Sequence, residues 1–228
     1  MQHQRVRPVP GDLRSFVVRN VDVWLTPALT FRMQEALDQL QPNHWARIWP
    51  SSLALSRWLL DQVHGSLPVR ARELGCGLGL VSMTLAHLGV ETEGTDREPA
   101  AIAFARSNAG RNDLHGFTAS LLDWSEPHGA ATQLMAAADI MYERESPARV
   151  FALLETSGLL APGGRLLIGG PRARRALLGE LVARLGDEGY AHVEELRLVD
   201  WEGRTQEVDV HVLTRPARES LTSPCECR

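Results

Sequence analysis

Apolar and polar positions recur at two different periods along this chain, and the switches between them outline a succession of strands and helices. Residues 15–25 alternate as a strand does. Residues 31–40 have helical spacing, ended by Pro42, and predict a helix. Pro50, Ser51 and Ser52 suit a helix start, and the helix they predict runs over 53–63. Residues 67–71 read as a short buried strand, and 81–88 as one or two helical turns. Strands are predicted at 90–95, 116–121 and within 133–142, with helices over 99–110 and 150–160. Pro162, Gly163 and Gly164 turn into a buried strand at 165–169, and a helix over 174–188 stops at Gly189. Residues 190–199 and 206–214 read as a closing pair, antiparallel because so few residues join them. Alternating β and α elements imply an α/β fold, with a mostly parallel sheet covered on both faces and an antiparallel last strand. Residues 1–42 are expected to form an N-terminal extension, 43–216 one domain, and 217–228 a disordered tail.

The stretch between the strand at 67–71 and the next helix is Arg72-Glu73-Leu74-Gly75-Cys76-Gly77-Leu78-Gly79-Leu80. Glycines here let the backbone take positive φ and let a ligand come close. The helix that follows offers free N–H groups to polar or anionic ligand groups. A dinucleotide fingerprint, G-x-G-x-x-G counted from Gly75, would need its third glycine at position 80, which is Leu80. No phosphate-binding Lys-Ser/Thr pair follows, so a P-loop is excluded as well.

Composition narrows the classes. A chain of 228 residues with 44% hydrophobic content is long enough for one substantial core. A net charge of −4 argues against a general nucleic-acid binder. The chain contains no lysine, so every fixed side-chain cation is Arg. Its three cysteines do not make a disulfide framework: Cys76 lies in the glycine stretch, and Cys225 and Cys227 supply two ligands where a structural zinc site needs four. The eight histidines are scattered, with no pair at i, i+4, and no metal site is expected. No signal peptide and no apolar run long enough to span a membrane is visible, which points to a soluble, cytoplasmic protein.

The pattern Glu73-x-Gly75-x-Gly77-x-Gly79 resembles the first motif of class I S-adenosylmethionine (SAM) methyltransferases. That resemblance implies a Rossmann-like seven-stranded sheet and SAM as cofactor. Four acidic positions, Glu73, Asp96, Asp123 and Asp139, each end a predicted strand, so they converge on the rim where such sheets bind ligands. Asp96 can accept hydrogen bonds from both ribose hydroxyls. Asp123 can accept from the adenine amino group, with Trp124 lying on the ring. Glu73 is placed for the amino group of the methionine part. The backbone at Gly75, Cys76 and Gly77 can approach the cofactor.

A second resemblance is narrower. Residues 44–56, with His44, Trp45, Trp49 and Pro50, and the segment Asp139-Ile140-Met141-Tyr142 resemble the D-x-x-Y branch of seven-β-strand lysine methyltransferases. Residues 54–61 and 166–171 are similar to the electron transfer flavoprotein β-subunit lysine methyltransferases and their bacterial relatives. That branch implies that Trp49 and Ala138 line the cofactor pocket and that Asp139 and Tyr142 flank the point of methyl transfer. It also implies a protein substrate presenting a lysine, with the electron transfer flavoprotein β-subunit as one such partner. Asp139 is expected to orient the incoming amine and Tyr142 to close the site. Arg172, Arg174 and Arg175 read as a solvated helix start, or alternatively as contacts to an acidic protein surface. A small-molecule N-methyltransferase acting on a nicotinamide-like amine, and a SAM-binding protein without activity, are the competing readings.

Overall fold

The computed structural model describes residues 13, 16–37, 44–62 and 67–217. Two strands, β1 (Val17–Thr26) and β2 (Leu29–Leu37), form an antiparallel hairpin. A 3-10 turn at His44–Ala46 leads into α1 (Pro50–Asp61). Then follow β3 (Arg70–Leu74), α2 (Leu80–His87), β4 (Glu91–Asp96), α3 (Pro99–Arg111), β5 (Phe117–Leu121) and β6 (Thr132–Ala138). The chain closes with α4 (Ser146–Thr156), β7 (Leu160–Pro171), α5 (Arg175–Asp187), β8 (Ala191–Trp201) and β9 (Arg204–Thr214). The seven strands from β3 to β9 make one sheet in the order β5-β4-β3-β6-β7-β9-β8. Neighbours from β5 to β7 are parallel, and β9 runs antiparallel between β7 and β8. The chain enters the sheet at β3, winds outward to β5, and returns to β6 on the other side of β3. The strand order therefore reverses between β3 and β6, and that is where an open α/β sheet leaves a crevice at its carboxyl edge.

Two cores fill the faces. One gathers α1, α2, α3 and the hairpin, through Leu55, Leu59, Met83, Leu85, Phe104, Phe31 and Met33. The other packs α4 and α5 on the opposite face, through Val150, Leu153, Leu154, Leu178, Leu181 and Leu185. Met135 and Ala137 point to the second core while Leu134 and Ala136 point to the first, as alternation along a strand buried on both faces requires.

Four expectations need correction. The helix expected over 31–40 is instead strand β2 as far as Leu37; its expected end at Pro42 lies outside the described residues. Phe31 and Met33 are buried at strand spacing, with Arg32 exposed between them. Tertiary pairing fixes the strand. Backbone N–H groups of Arg32 and Gln34 donate to Asn112 Oδ1 (2.9 Å) and Asn108 Oδ1 (2.8 Å) of α3. The same amides donate back to the Arg32 and Gln34 carbonyls. Four helical residues rise ~6 Å and two strand residues ~6.7 Å, so two asparagines four apart match two strand residues two apart. The strand expected at 67–71 begins only at Arg70, and Val69 is exposed. The helix expected at 150–160 starts earlier, at Ser146, and Leu160 already belongs to β7. Finally, the histidines do not stay scattered: strand pairing brings His192, Glu194 and His211 together. The tail expected to be disordered lies outside the described residues from 218 on.

Candidate active site

The carboxyl ends of β3, β4, β5 and β6, with the segment 44–52, enclose a cavity of about 890 Å³. That is within the ~300–1,000 Å³ typical of small-molecule sites. Its walls include Trp49, Glu73, Gly75, Cys76, Gly77, Asp96, Asp123, Trp124, Ala138, Asp139 and Tyr142. The fold thus brings together every cofactor-binding and catalytic residue expected from the sequence except Gly79. Gly79 sits behind the wall, at φ +89°, where an added Cβ would lie 3.1 Å from the Ala105 Cβ. Its role is to let α2 start against α3. Gly75 does face the cavity, at φ +63°, and a Cβ there would come within 2.8 Å of Ile140, so the turn from β3 to α2 packs against the segment after β6 only as a glycine.

Glu73 is held within the fold as well as lining the cavity. It is 1% exposed, and its Oε2 accepts from the Ser82 backbone N–H (2.8 Å) and from the Ser82 hydroxyl. The carboxylate therefore occupies a first-turn N–H of α2 that was expected to face a ligand. Burial pushes its pKa up to about 8, against the opposing effect of the two Ser82 bonds. Asp96 closes the loops from the next strand. Its Oδ2 accepts from Gly77 N–H and its Oδ1 from Glu98 N–H, both at 3.0 Å. Burial raises its pKa, with those two bonds acting the other way. Asp123 is exposed and accepts from the Ser125 N–H (2.8 Å) and hydroxyl (2.7 Å), which hold its pKa below the usual carboxylate range.

The opposite wall is held by longer reaches. Glu35, fully buried on β2, accepts from Ile48 N–H at 2.8 Å and from Arg19. This ties the hairpin to the segment that delivers Trp49. The Trp49 indole donates to the His44 carbonyl (2.6 Å), and the His44 ring stacks on Tyr142 with centroids 5.1 Å apart and planes 25° from parallel. Asp139 follows β6 at φ +57°, a backbone conformation uncommon outside glycine, with its N–H donating to Gly169 O at 2.9 Å. Arg174 donates to Asp139 Oδ1 at 2.7 Å from the start of α5. Burial raises the Asp139 pKa, while Arg174 first and His44 second lower it. Burial also raises the Tyr142 pKa.

Arg174 thus turns inward, which corrects both readings of the arginine cluster for that residue. Arg172 pairs with Asp209 and Glu207 of β9, and Arg175 is exposed. Arg174, His44, Ser82 and Glu35 were missed as site residues. His44 opens a motif already singled out. No sequence signal links Arg174 to Asp139, which lies 35 positions away.

The methyltransferase-domain family matches residues 69–209. Protein N-lysine methyltransferase METTL21A of Danio rerio is 31% identical over 164 residues, covering 62% of this chain and 73% of the relative. Among solved structures, the Thermus thermophilus 16S rRNA N2 G1207 methyltransferase, in complex with AdoMet and guanosine, superposes with a TM-score of 0.62. It is 16% identical and covers 87% of this chain and 50% of its own. Magnesium protoporphyrin IX methyltransferase of Synechocystis PCC 6803, with bound SAM, gives 0.55 at 20% identity, covering 71% of this chain and 77% of its own.

Proposed function

Because the chain belongs to the methyltransferase-domain family, with SAM as the methyl donor, we propose that it methylates the side-chain amine of a lysine on a protein substrate. The observation that carries this reading is the pairing of Asp139 with Arg174 beside the His44–Tyr142 stack, at the rim of the cavity. The 31% identity to a protein N-lysine methyltransferase supports the same acceptor.

The cavity fits SAM by its size, by the Cβ-free approach at Gly75 and Gly77, and by a buried carboxylate, Asp96, at its floor. SAM supplies an activated methyl on a sulfonium, so the protein's task is orientation and exclusion of water. Asp96 accepts the ribose hydroxyls, Trp49 and Trp124 offer aromatic surface, and Asp123 takes the adenine amino group. Ala138, small and beside Asp139, leaves room for the reacting atoms.

The acceptor must reach the site as a neutral amine. For a lysine of pKa ≈ 10.4, deprotonation at pH 7 costs about 4.6 kcal/mol. An isolated carboxylate would add to that cost by stabilising the ammonium. Arg174 offsets the charge of Asp139, and its bond to Oδ1 leaves Oδ2 to accept from the amine. Asp139 then orients a neutral amine without holding its proton, which is lost to solvent before transfer. Tyr142, backed by His44, closes the rim.

The test is incubation with methyl-labelled SAM and a fractionated cell lysate. Because this chain has no lysine, any labelled methyllysine belongs to a substrate. Label found only in a small methylated amine would replace the reading with that of a small-molecule N-methyltransferase.

A further inference from the structure

We propose that His192, Glu194 and His211 bind a divalent transition-metal ion of the zinc class at the outer edge of the sheet. None of the three lines the cavity described above. Their ligand atoms lie within 4.8 Å of one another. Strand register assembles them. Glu194 of β8 is directly opposite His211 of β9, and His192 lies two residues from Glu194 on the same face.

The two imidazoles carry the argument. His192 Nε2 and His211 Nδ1 face each other at 2.8 Å, with the rings 15° from parallel. Two nitrogen lone pairs at that distance repel unless a proton or a cation lies between them. Tetrahedral zinc with Zn–N ≈ 2.0–2.1 Å sets its two nitrogens about 3.3 Å apart, so a separation of ~0.5 Å admits the ion. His211 is buried and fixes one side of the site. Glu194 and His192 are exposed, so the carboxylate can swing to the ion and a fourth position stays open to water. Imidazole with a single carboxylate suits zinc, cobalt or nickel over magnesium or calcium, which prefer all-oxygen shells. Because β8 is the edge strand, the ion would clamp it to β9.

The test uses the full chain without an affinity tag, carrying Cys225→Ser and Cys227→Ser so that the tail thiols do not compete. Titration with zinc chloride by calorimetry should show one ion per chain. Even outer partners of metal ligands are worth ~10–100-fold in affinity, so His192→Ala and Glu194→Gln should each weaken binding at least ~10-fold. Cobalt should give the visible absorption of nitrogen and oxygen ligation, and SAM affinity should not change. No zinc binding by the parent protein, equal binding by both variants, or binding of magnesium as tight as zinc would overturn the proposal.

Discussion

The two walls of the cavity are built in different ways. The wall of β3, β4 and the glycine turn is made of backbone and of side chains that satisfy groups close in the fold's own winding. Asp96 reaches Gly77, 19 residues away, and Glu73 reaches Ser82, 9 away. The wall of β6 and the segment 44–52 depends on side chains from remote elements: Arg174 on Asp139, His44 on Tyr142, Glu35 on Ile48. The first wall is a cradle whose shape follows from where a strand turns into a helix. The second is a set of contacts between elements, each of which could change without unmaking the sheet. In the reading proposed above, the cofactor rests chiefly in the first, with Trp49 and Ala138 of the second beside it, and the acceptor meets Asp139 and Tyr142 of the second.

Substitutions at Asp96 and Asp139 probe that division most strongly. Asp96→Ala removes the acceptor proposed for two ribose hydroxyls. At roughly 1.5 kcal/mol or more for each hydrogen bond to a charged group, SAM affinity measured by calorimetry should fall about 100-fold or more. Asp139→Ala should leave SAM affinity within a few-fold of the parent. Turnover on the labelled substrate should fall ~100-fold, since misplacing a reactant by about 1 Å is already worth that much. Equal loss of SAM affinity in both variants would erase the distinction between the walls.

Arg174→Gln comes next. Arg174 lowers the Asp139 pKa against the effect of burial, so its removal should raise that pKa further. Asp139 then stays protonated to higher pH and no longer accepts from the amine there. The acid limb of the rate profile should move to higher pH, with turnover at neutral pH down about tenfold, as expected when one charge-assisted hydrogen bond of ~1.5 kcal/mol is lost. An unmoved acid limb, with turnover reduced evenly at all pH values, would make Arg174 a structural residue only.

The same division explains what the sequence made legible. Glu73, Gly75, Cys76 and Gly77 fall within five residues, and Asp96 and Asp139 each stand at the end of a strand, so motif and the strand–helix alternation were enough to place them on one rim. Gly79 belongs to the same motif, yet its neighbours are Ala105 and Phe117, so the pattern could not separate a ligand glycine from a packing one. β2 misled for a related reason. Phe31, Met33, Ala36 and Leu37 contain both periods, and the choice is made by Asn108 and Asn112 of a helix far along the chain. Arg174 and Asp139 meet only through the order of strands in the sheet, which spacing along the chain does not reveal, whereas His192 and His211 meet through the register of the β8–β9 hairpin.

The smallest expected effect is at Glu73, and it separates a fold residue from a ligand residue within the cradle. Burial is the chief cause that raises the folded pKa to about 8 from the ordinary 4.5 of a glutamate. Between those values the folded chain holds a proton that the unfolded chain has released. Stability rises with pH only where the unfolded state binds more protons, so here it falls as pH climbs from about 5 to about 8. Asp96 and Asp139, also raised by burial, add to that slope, so the useful quantity is the difference from a variant. Glu73→Gln keeps an acceptor for Ser82 but cannot ionise. Its melting temperature relative to the parent should therefore rise with pH, by at least ~2–4 °C between pH 5 and pH 8 in SAM-free protein, the shift that ~1 kcal/mol produces in a chain of this size. A constant difference across that range would mean that Glu73 ionises freely in the folded protein. The carboxylate would then stand charged at neutral pH beside Ser82, ready to meet the ammonium of the methionine part directly.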